Sequence, residues 1–318
     1  MFQESQLKIQ LLNDRAFMLR EARDFFFDRQ IMEVDCPLIT KYASIDAHID
    51  LIPIQYLETE TRYLHSSAEY GMKRLLSLEI GDIYQLAHVF RNEGHGKKHN
   101  PEFMMAEWYR IGFNLNQMID ETVAFIKLFI GNIPVIQSSY RETFLKFTGV
   151  DYLTAKFAEL EAILKNHQIE PYPGIEKEGK DAYLNLILGT IIEKELGKNE
   201  IFVLYHYPSS QAALAKTVVV NDEIVAERFE IYHQGIELCN GYHELLNVDE
   251  QRERFEQANK ERLSLNKNEL PCDEYFLQAL QNGIPDCSGV AVGFDRLMML
   301  RHNAEHIEQV VPFAWPTA

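Results

Sequence analysis

Arg91 and Glu93 stand two residues apart on the approach to a loop, and Phe103 opens the segment that leaves it, within HVFRNEGHGKKHNPEFMMAEWYR (88–110). Arginine suits a phosphate oxygen because its guanidinium presents a planar fork of donors. If the incoming arm is a strand, Arg91 and Glu93 share a face, since side chains alternate with period two. The glutamate could then accept from an exocyclic amine, and Phe103 could stack on a heterocycle. Together they could hold a nucleotide. The plainer reading is a surface ion pair beside a core phenylalanine.

Three other stretches carry related chemistry. In IELCNGYHELL (236–246), Glu237 and Glu244 are seven apart, so one regular strand would point them to opposite sides. A turn or bulge at Asn240–Gly241 would restore convergence, and paired carboxylates suit Mg²⁺ beside phosphates. The alternative is a solvated strand edge. In SGVAVGFDRLMML (288–300), Gly289 and Gly293 admit a close ligand, and Arg296 falls in the first turn of a helix, within reach of a phosphate. An ordinary strand–helix junction with a surface arginine has the same pattern. In SSAEYGMKRLL (66–76), Glu69 opens a helix, either as a cap or as the acid for a cationic substrate. His95 and His99 sit in the loop without a third ligand, which favours solvation or a phosphate contact over a metal.

The elements that must position these residues follow from periodicity. Apolar positions from Leu7 to Phe26 recur with helical spacing, followed by the short extended IMEVDCPLIT around Pro37. Strands are expected over 48–66, a helix over 67–78, a hairpin over 83–113 with its loop from Gly94 to Pro101, and a helix over 115–131. Residues 140–200 read as a small helical insertion broken at PYPG. Strands follow at 202–208 and 227–246, then helices near 249–263 and 273–282, and a strand entering a helix over 288–300. Strands joined through turns with helices beside them predict an α+β fold, an antiparallel sheet flanked by helices, in a single domain spanning 1–318.

The formal net charge of −17 opposes a protein whose main task is gripping nucleic acid. Cys36, Cys239, Cys272 and Cys287 are scattered, as in a reducing compartment, and indicate neither a disulfide frame nor a zinc site. No signal peptide, membrane span, Walker loop or serine elbow is evident, so a cytoplasmic protein is expected.

Taken in order, FRNE…HNPEF…E resembles motif 2 of the class II aminoacyl-tRNA synthetases, and GVAVGFDR resembles motif 3. The first helix with IMEVDCPL resembles motif 1, whose proline lies at the dimer interface in that family, so a homodimer is expected. SAEYGMKRLL and ELCNGYHEL are most similar to the lysyl subgroup. The resemblance covers nearly the whole chain outside 140–200. It implies ATP and Mg²⁺ as co-substrate and metal. Arg91 would hold the α-phosphate, Asn92 and Glu93 would contact the nucleotide, Asn100 would lie on its side at the loop's exit, and Phe103 would stack on adenine. Glu237, with the backbone at Leu238, would hold ATP and Mg²⁺, with Glu244 as a second metal carboxylate. Gly293 and Arg296 would complete the nucleotide site, with Arg91 and Arg296 catalytic. Ser67, Ala68, Glu69, Tyr109 and Glu244 would bind the amino acid.

Motif 1 starts within the first forty residues, leaving no room for the anticodon-reading OB-fold domain of the lysyl-tRNA synthetases. Almost end to end the chain resembles the compact paralogues that ligate a lysyl group, which implies transfer of lysine or (R)-β-lysine to a lysine of translation elongation factor P, a tRNA-shaped protein. Binding of tRNA is then unexpected. A minimal tRNA-charging enzyme and a non-catalytic regulatory paralogue are the rival readings, and retention of Arg91 and Arg296 speaks against the second. Two positions depart from the subgroup. Ala68 replaces a proline, and Ala291 stands where lysyl-tRNA synthetases carry glycine, a methyl that could favour a β-amino acid.

Overall fold

In the computed structural model, which describes residues 2–42 and 44–318, the chain forms two compact units, Met1–Asn132 with Leu246–Ala318, and Ile133–Leu245. In the first unit, helix α1 (Phe2–Asp28) leads to the two-residue strand β1 (Met32–Glu33). Strands β2 (Ile39–Thr40), β3 (Ile52–Tyr56) and β4 (Glu60–Leu64) form a small sheet of order β2-β4-β3. Helix α2 (Glu69–Leu76) precedes the hairpin of β5 (Ile83–Phe90) and β6 (Glu102–Ile111), and α3 (Leu115–Ile130) follows it. Helix α3 starts at a capping box, Asn114 with Gln117, and stops at Gly131, whose φ of 82° few side chains tolerate.

The second unit holds β7 (Val135–Ser139), α4 (Tyr140–Thr148), α5 (Phe157–Asn166), α6 (Ile175–Glu178), α7 (Lys180–Ile187), β8 (Ile201–Pro208), β9 (Thr217–Val220), β10 (Glu223–His233) and β11 (Ile236–His243). The helices expected over 140–200 therefore lie inside this unit. Strand β7 runs parallel to β8; β10 pairs antiparallel with β8, β9 and β11. The helices bury Phe144, Leu160, Leu184 and Ile187 in one core with Leu204 and Tyr207 of β8. A buried Glu230 accepts hydrogen bonds from Tyr207, Tyr232 and Arg228. Such a charge is tolerated in a core because its oxygens are filled.

The chain returns to the first unit with α8 (Val248–Ser264), α9 (Glu274–Asn282), β12 (Cys287–Gly293) and α10 (Phe294–Arg301). The sheet of this unit has the order β1-β5-β6-β12, with β1 parallel to β5 and the other pairs antiparallel. Alternation divides β6 into two faces. Trp108 lies on one, its ring 5.2 Å from Phe26 of α1 and 5.3 Å from Phe125 of α3. Phe103, Met105, Glu107 and Tyr109 lie on the other. There Met105 is opposite Ala87 and Gly293, Glu107 is opposite Gln85 and Ala291, and Tyr109 is opposite Ile83 and Gly289. The small residues Ala87, Gly289, Ala291 and Gly293 leave a shallow trough along β6. Among the described residues no helix is long and apolar enough to cross a membrane.

Candidate active site

At the loop end of the trough, β5 stops at Phe90, so Arg91 and Glu93 lie beyond the strand. The expectation that strand alternation aligns them is corrected: backbone anchors place them instead. The Arg91 N–H donates to Pro101 O at 2.9 Å, and the Asn92 N–H donates to Asp50 O at 2.8 Å. Asp50 is itself held, its two carboxylate oxygens taken by Arg262 and Lys267 at 3.2 Å each. The Arg91 guanidinium lies 5.2 Å from the centroid of the Phe103 ring. Its Nε is buried with no hydrogen-bond partner among the described residues. A buried donor left unpaired costs about 1–3 kcal/mol, which an incoming oxygen would recover. Glu93 is half-buried and Asn92 is exposed.

Arg296, third residue of α10, donates through Nη2 to His99 Nε2 at 3.0 Å. A Cβ added to Gly293 would meet only the Arg296 side chain, at 3.6 Å or more. The fold therefore does not require glycine there, whereas a ligand lying on the strand would. Asn100 is buried and doubly engaged: its Nδ2 donates to Glu102 O at 2.6 Å, and its Oδ1 accepts from the Trp315 N–H at 3.0 Å.

At the other end sits an acid cluster. Glu107 is 2% exposed; its carboxylate accepts from Ser67 Oγ at 2.9 and 3.0 Å, from the Ala68 N–H at 3.1 Å and from the Tyr109 hydroxyl at 2.9 Å. Burial, and then the nearby Glu69 carboxylate, push its pKa up to about 7 despite these donors. Glu69 Oε1 accepts from the buried Lys73 ammonium at 2.6 Å, one helical turn on. Glu69 does not cap α2; the Glu69 N–H is met by Ser67 Oγ at 3.0 Å. Ser67 thus turns the chain into the helix and holds Glu107 as well. His65, Ala68, Gln85, Ala87, Val89 and Met105 line, with Glu107, a small pocket. Two carboxylates against one ammonium leave a net negative charge, the complement of an amino-acid ammonium.

Glu107 and Lys73 received no role from the sequence. The signal for Glu107 was available: it is the closing acid of the FRNE…HNPEF…E pattern, four residues after Phe103 and on the same face of β6.

Glu237, Leu238 and Glu244 belong to the second unit. Asn240 and Gly241 form no turn; they lie inside β11, paired with Glu230 and Phe229, and the turn falls at Gln234–Gly235. The register instead slips between Ile231 and Tyr232, leaving buried Leu238 as an extra residue between Glu237 and Cys239. This bulge puts half-buried Glu237 on the face of Asn240 and Tyr242. Glu244 follows the strand at a bridge to Ala215 and is 1% exposed. Among the described residues no group of three metal-ligating side chains comes together. A pair of carboxylates fits Mg²⁺ only in the usual way of a nucleotide site, where phosphate and water oxygens fill the other positions.

A sheet with β5–loop–β6 and β12–α10 carrying an arginine each, and an acid cluster between, is the frame of a class II synthetase. The family described as tRNA synthetases class II (D, K and N) matches residues 4–316, and the chain belongs to it. Among its relatives is the elongation factor P–(R)-beta-lysine ligase of Haemophilus ducreyi, 42% identical over 310 residues, covering 96% of this chain and 94% of that one. The protein of the same name from Pasteurella multocida is 39% identical, with coverage of 96% and 95%. That from Haemophilus influenzae (strain PittGG) is 40% identical over 314 residues, with coverage of 96% and 95%.

Proposed function

We propose that this protein activates lysine, as the (R)-β isomer, with ATP and transfers it to the ε-amine of a lysine on translation elongation factor P. The observation that carries this reading is the Glu107 cluster, a buried acid with a net negative surround on the same strand face as the Arg91–Phe103 pair. The names and near-complete coverage of the relatives support it.

In the first step a carboxylate oxygen of the amino acid attacks the α-phosphorus of ATP. The bond to the bridging oxygen breaks, pyrophosphate leaves, and an acyl-adenylate forms. Arg91 neutralises charge at the α-phosphate and Arg296 at the leaving end, while Phe103 stacks on adenine and Glu93 accepts from its amine. Asn92 and the backbone of Gly293 and Leu238 flank the nucleotide. Glu237 and Glu244 would hold Mg²⁺, which would supply positive charge to offset that of the phosphates. Glu69, Glu107 and Glu244 receive the ammonium groups, with Ser67, Ala68 and Tyr109 fixing Glu107. In the second step the neutral ε-amine of the protein substrate attacks the acyl carbon, AMP leaves, and the amine sheds a proton.

The protein acts as a homodimer in the cytoplasm. Leu7, Phe17 and Phe27 of α1 and Ile39 near the motif 1 proline are exposed apolar residues that a second copy would cover. Mass spectrometry of elongation factor P incubated with this protein, ATP and each lysine isomer tests the reading. One added lysyl mass with the (R)-β isomer supports it. An unmodified partner together with charged tRNA would reassign the protein as a minimal tRNA synthetase.

A further inference from the structure

The segment after α10 reaches back to the nucleotide loop at two points. The Ile307 N–H donates to Lys97 O at 2.7 Å, and the Trp315 N–H donates to Asn100 Oδ1 at 3.0 Å. The segment between these contacts is fixed from the other side by α1: Lys8 Nζ donates to Val311 O, and Arg15 Nη1 to Val310 O at 3.3 Å. Ile307, Val310, Val311 and Ala314 are buried, whereas the Phe313 and Trp315 side chains are 72% and 56% exposed. The strap's two hydrogen bonds to the loop both come from its backbone N–H groups.

The loop responds unevenly. From Lys97 to Asn100 it is pinned by the strap, by the Gly96 N–H to His99 O turn at 3.0 Å, and by the Arg296–His99 contact. Asn100 is the focus, because its two hydrogen bonds use its acceptor for the strap and one donor for Glu102 O. Remove the Trp315 amide and a buried amide oxygen loses its partner. The side chain can recover a partner only by turning, which moves its remaining N–H.

We infer that the strap formed by residues 307–315 is part of the nucleotide site: the Trp315 backbone amide is a positioning group that holds Asn100, and through it the loop, in the ATP-binding arrangement before ATP arrives. The inference rests on the assignment of Asn100 to the nucleotide site. Its physical basis is preorganisation, since a loop already ordered does not lose that freedom on binding.

A backbone amide is removed by proline and kept by alanine, so Trp315→Pro and Trp315→Ala form the test pair in the full-length protein. Trp315→Pro weakens ATP–Mg²⁺ binding about tenfold relative to Trp315→Ala, as expected for one buried acceptor left unpaired. In pyrophosphate exchange the KM for ATP rises by the same factor while kcat changes less than about twofold. Amide hydrogen exchange of the unsubstituted protein gives an independent readout that needs no variant to fold. The Trp315 amide is protected, and more so with ATP–Mg²⁺ bound; exchange at the free-peptide rate with and without ATP overturns the inference. Equal ATP affinity for the two variants also overturns it while leaving the nucleotide site intact. Failure of the unsubstituted protein to bind ATP at all overturns the site assignment itself, and the inference with it.

Discussion

Replacing Ala291 by glycine isolates one methyl group in the proposed amino-acid site. Ala291 faces Glu107 across the β12–β6 ladder, and its neighbours on that face, Gly289 and Gly293, have no side chain. Directly opposed residues place their Cβ atoms about 4.5–5.5 Å apart. The methyl therefore stands beside the Glu107 side chain, where a substrate ammonium must settle. An α- and a β-amino acid differ by the carbon that bears the amine, a displacement of one C–C bond, about 1.5 Å. With the carboxylate held at the α-phosphate, the methyl narrows the space on one side of Glu107, and the two isomers meet it differently. A one-carbon misfit in an enclosed pocket changes selection by roughly 10–200-fold. Ala291→Gly is expected to lower the ratio of kcat/KM for (R)-β-lysine to that for α-lysine by about tenfold or more, in ATP–pyrophosphate exchange measured with each isomer. Glycine inside a strand also costs about 0.5–1 kcal/mol of stability, but that cost is common to both substrates and cancels in the ratio. A folded variant whose ratio stays within twofold of the parent refutes the steric argument.

Three further outcomes follow from the same geometry. Glu107 must be ionised to receive an ammonium, and in the free protein its pKa is pushed up to about 7, so kcat/KM for the amino acid should fall towards tenfold per unit as pH drops below 7. Glu107→Gln should remove this limb of the pH profile and lower kcat/KM on the order of 10²-fold. Arg91→Ala should cost about 10²–10³ in the exchange rate, as for other donors to a charged transition state, with the fold intact by circular dichroism. Transfer to elongation factor P should slow with added salt if a basic partner loop is steered by a body of net charge −17, while the exchange half-reaction responds less. Equal salt dependence of the two reactions would remove steering from the account.

The elements were legible because their signals are local. The hairpin arms and the Gly-bearing strand into α10 each announce themselves within a few residues, and the α+β sheet follows from their order. Arg91, Phe103 and Arg296 were legible as chemistry, but only the family resemblance of their stretches, taken in order, joined three ambiguous segments into one proposed site. What stayed hidden is long-range. Ser67 meets Glu107 across 40 residues, and Trp315 meets Asn100 across 215. No periodicity encodes such contacts. The bulge at Leu238 was hidden for another reason: the Asn-Gly pair is the stronger turn signal, yet pairing with Glu230 and Phe229 holds it extended.

The acid cluster changes what Glu69 means. Read alone it is a helix-start carboxylate available to a cation, but Lys73 already occupies one of its oxygens from within α2. An internal ammonium at that point offsets part of the repulsion between Glu69 and Glu107 that, after burial, raises the Glu107 pKa. It also means that, with Glu107 ionised, the site presents about one unit of negative charge to its substrate rather than two. The remaining charge resides on the carboxylate that Ser67, Ala68 and Tyr109 hold in place. An oriented acid selects where an ammonium sits, and that is the property needed to tell an α-amine from a β-amine. On this proposal Ala291, directly across the ladder from this acid, is the wall against which the choice is made.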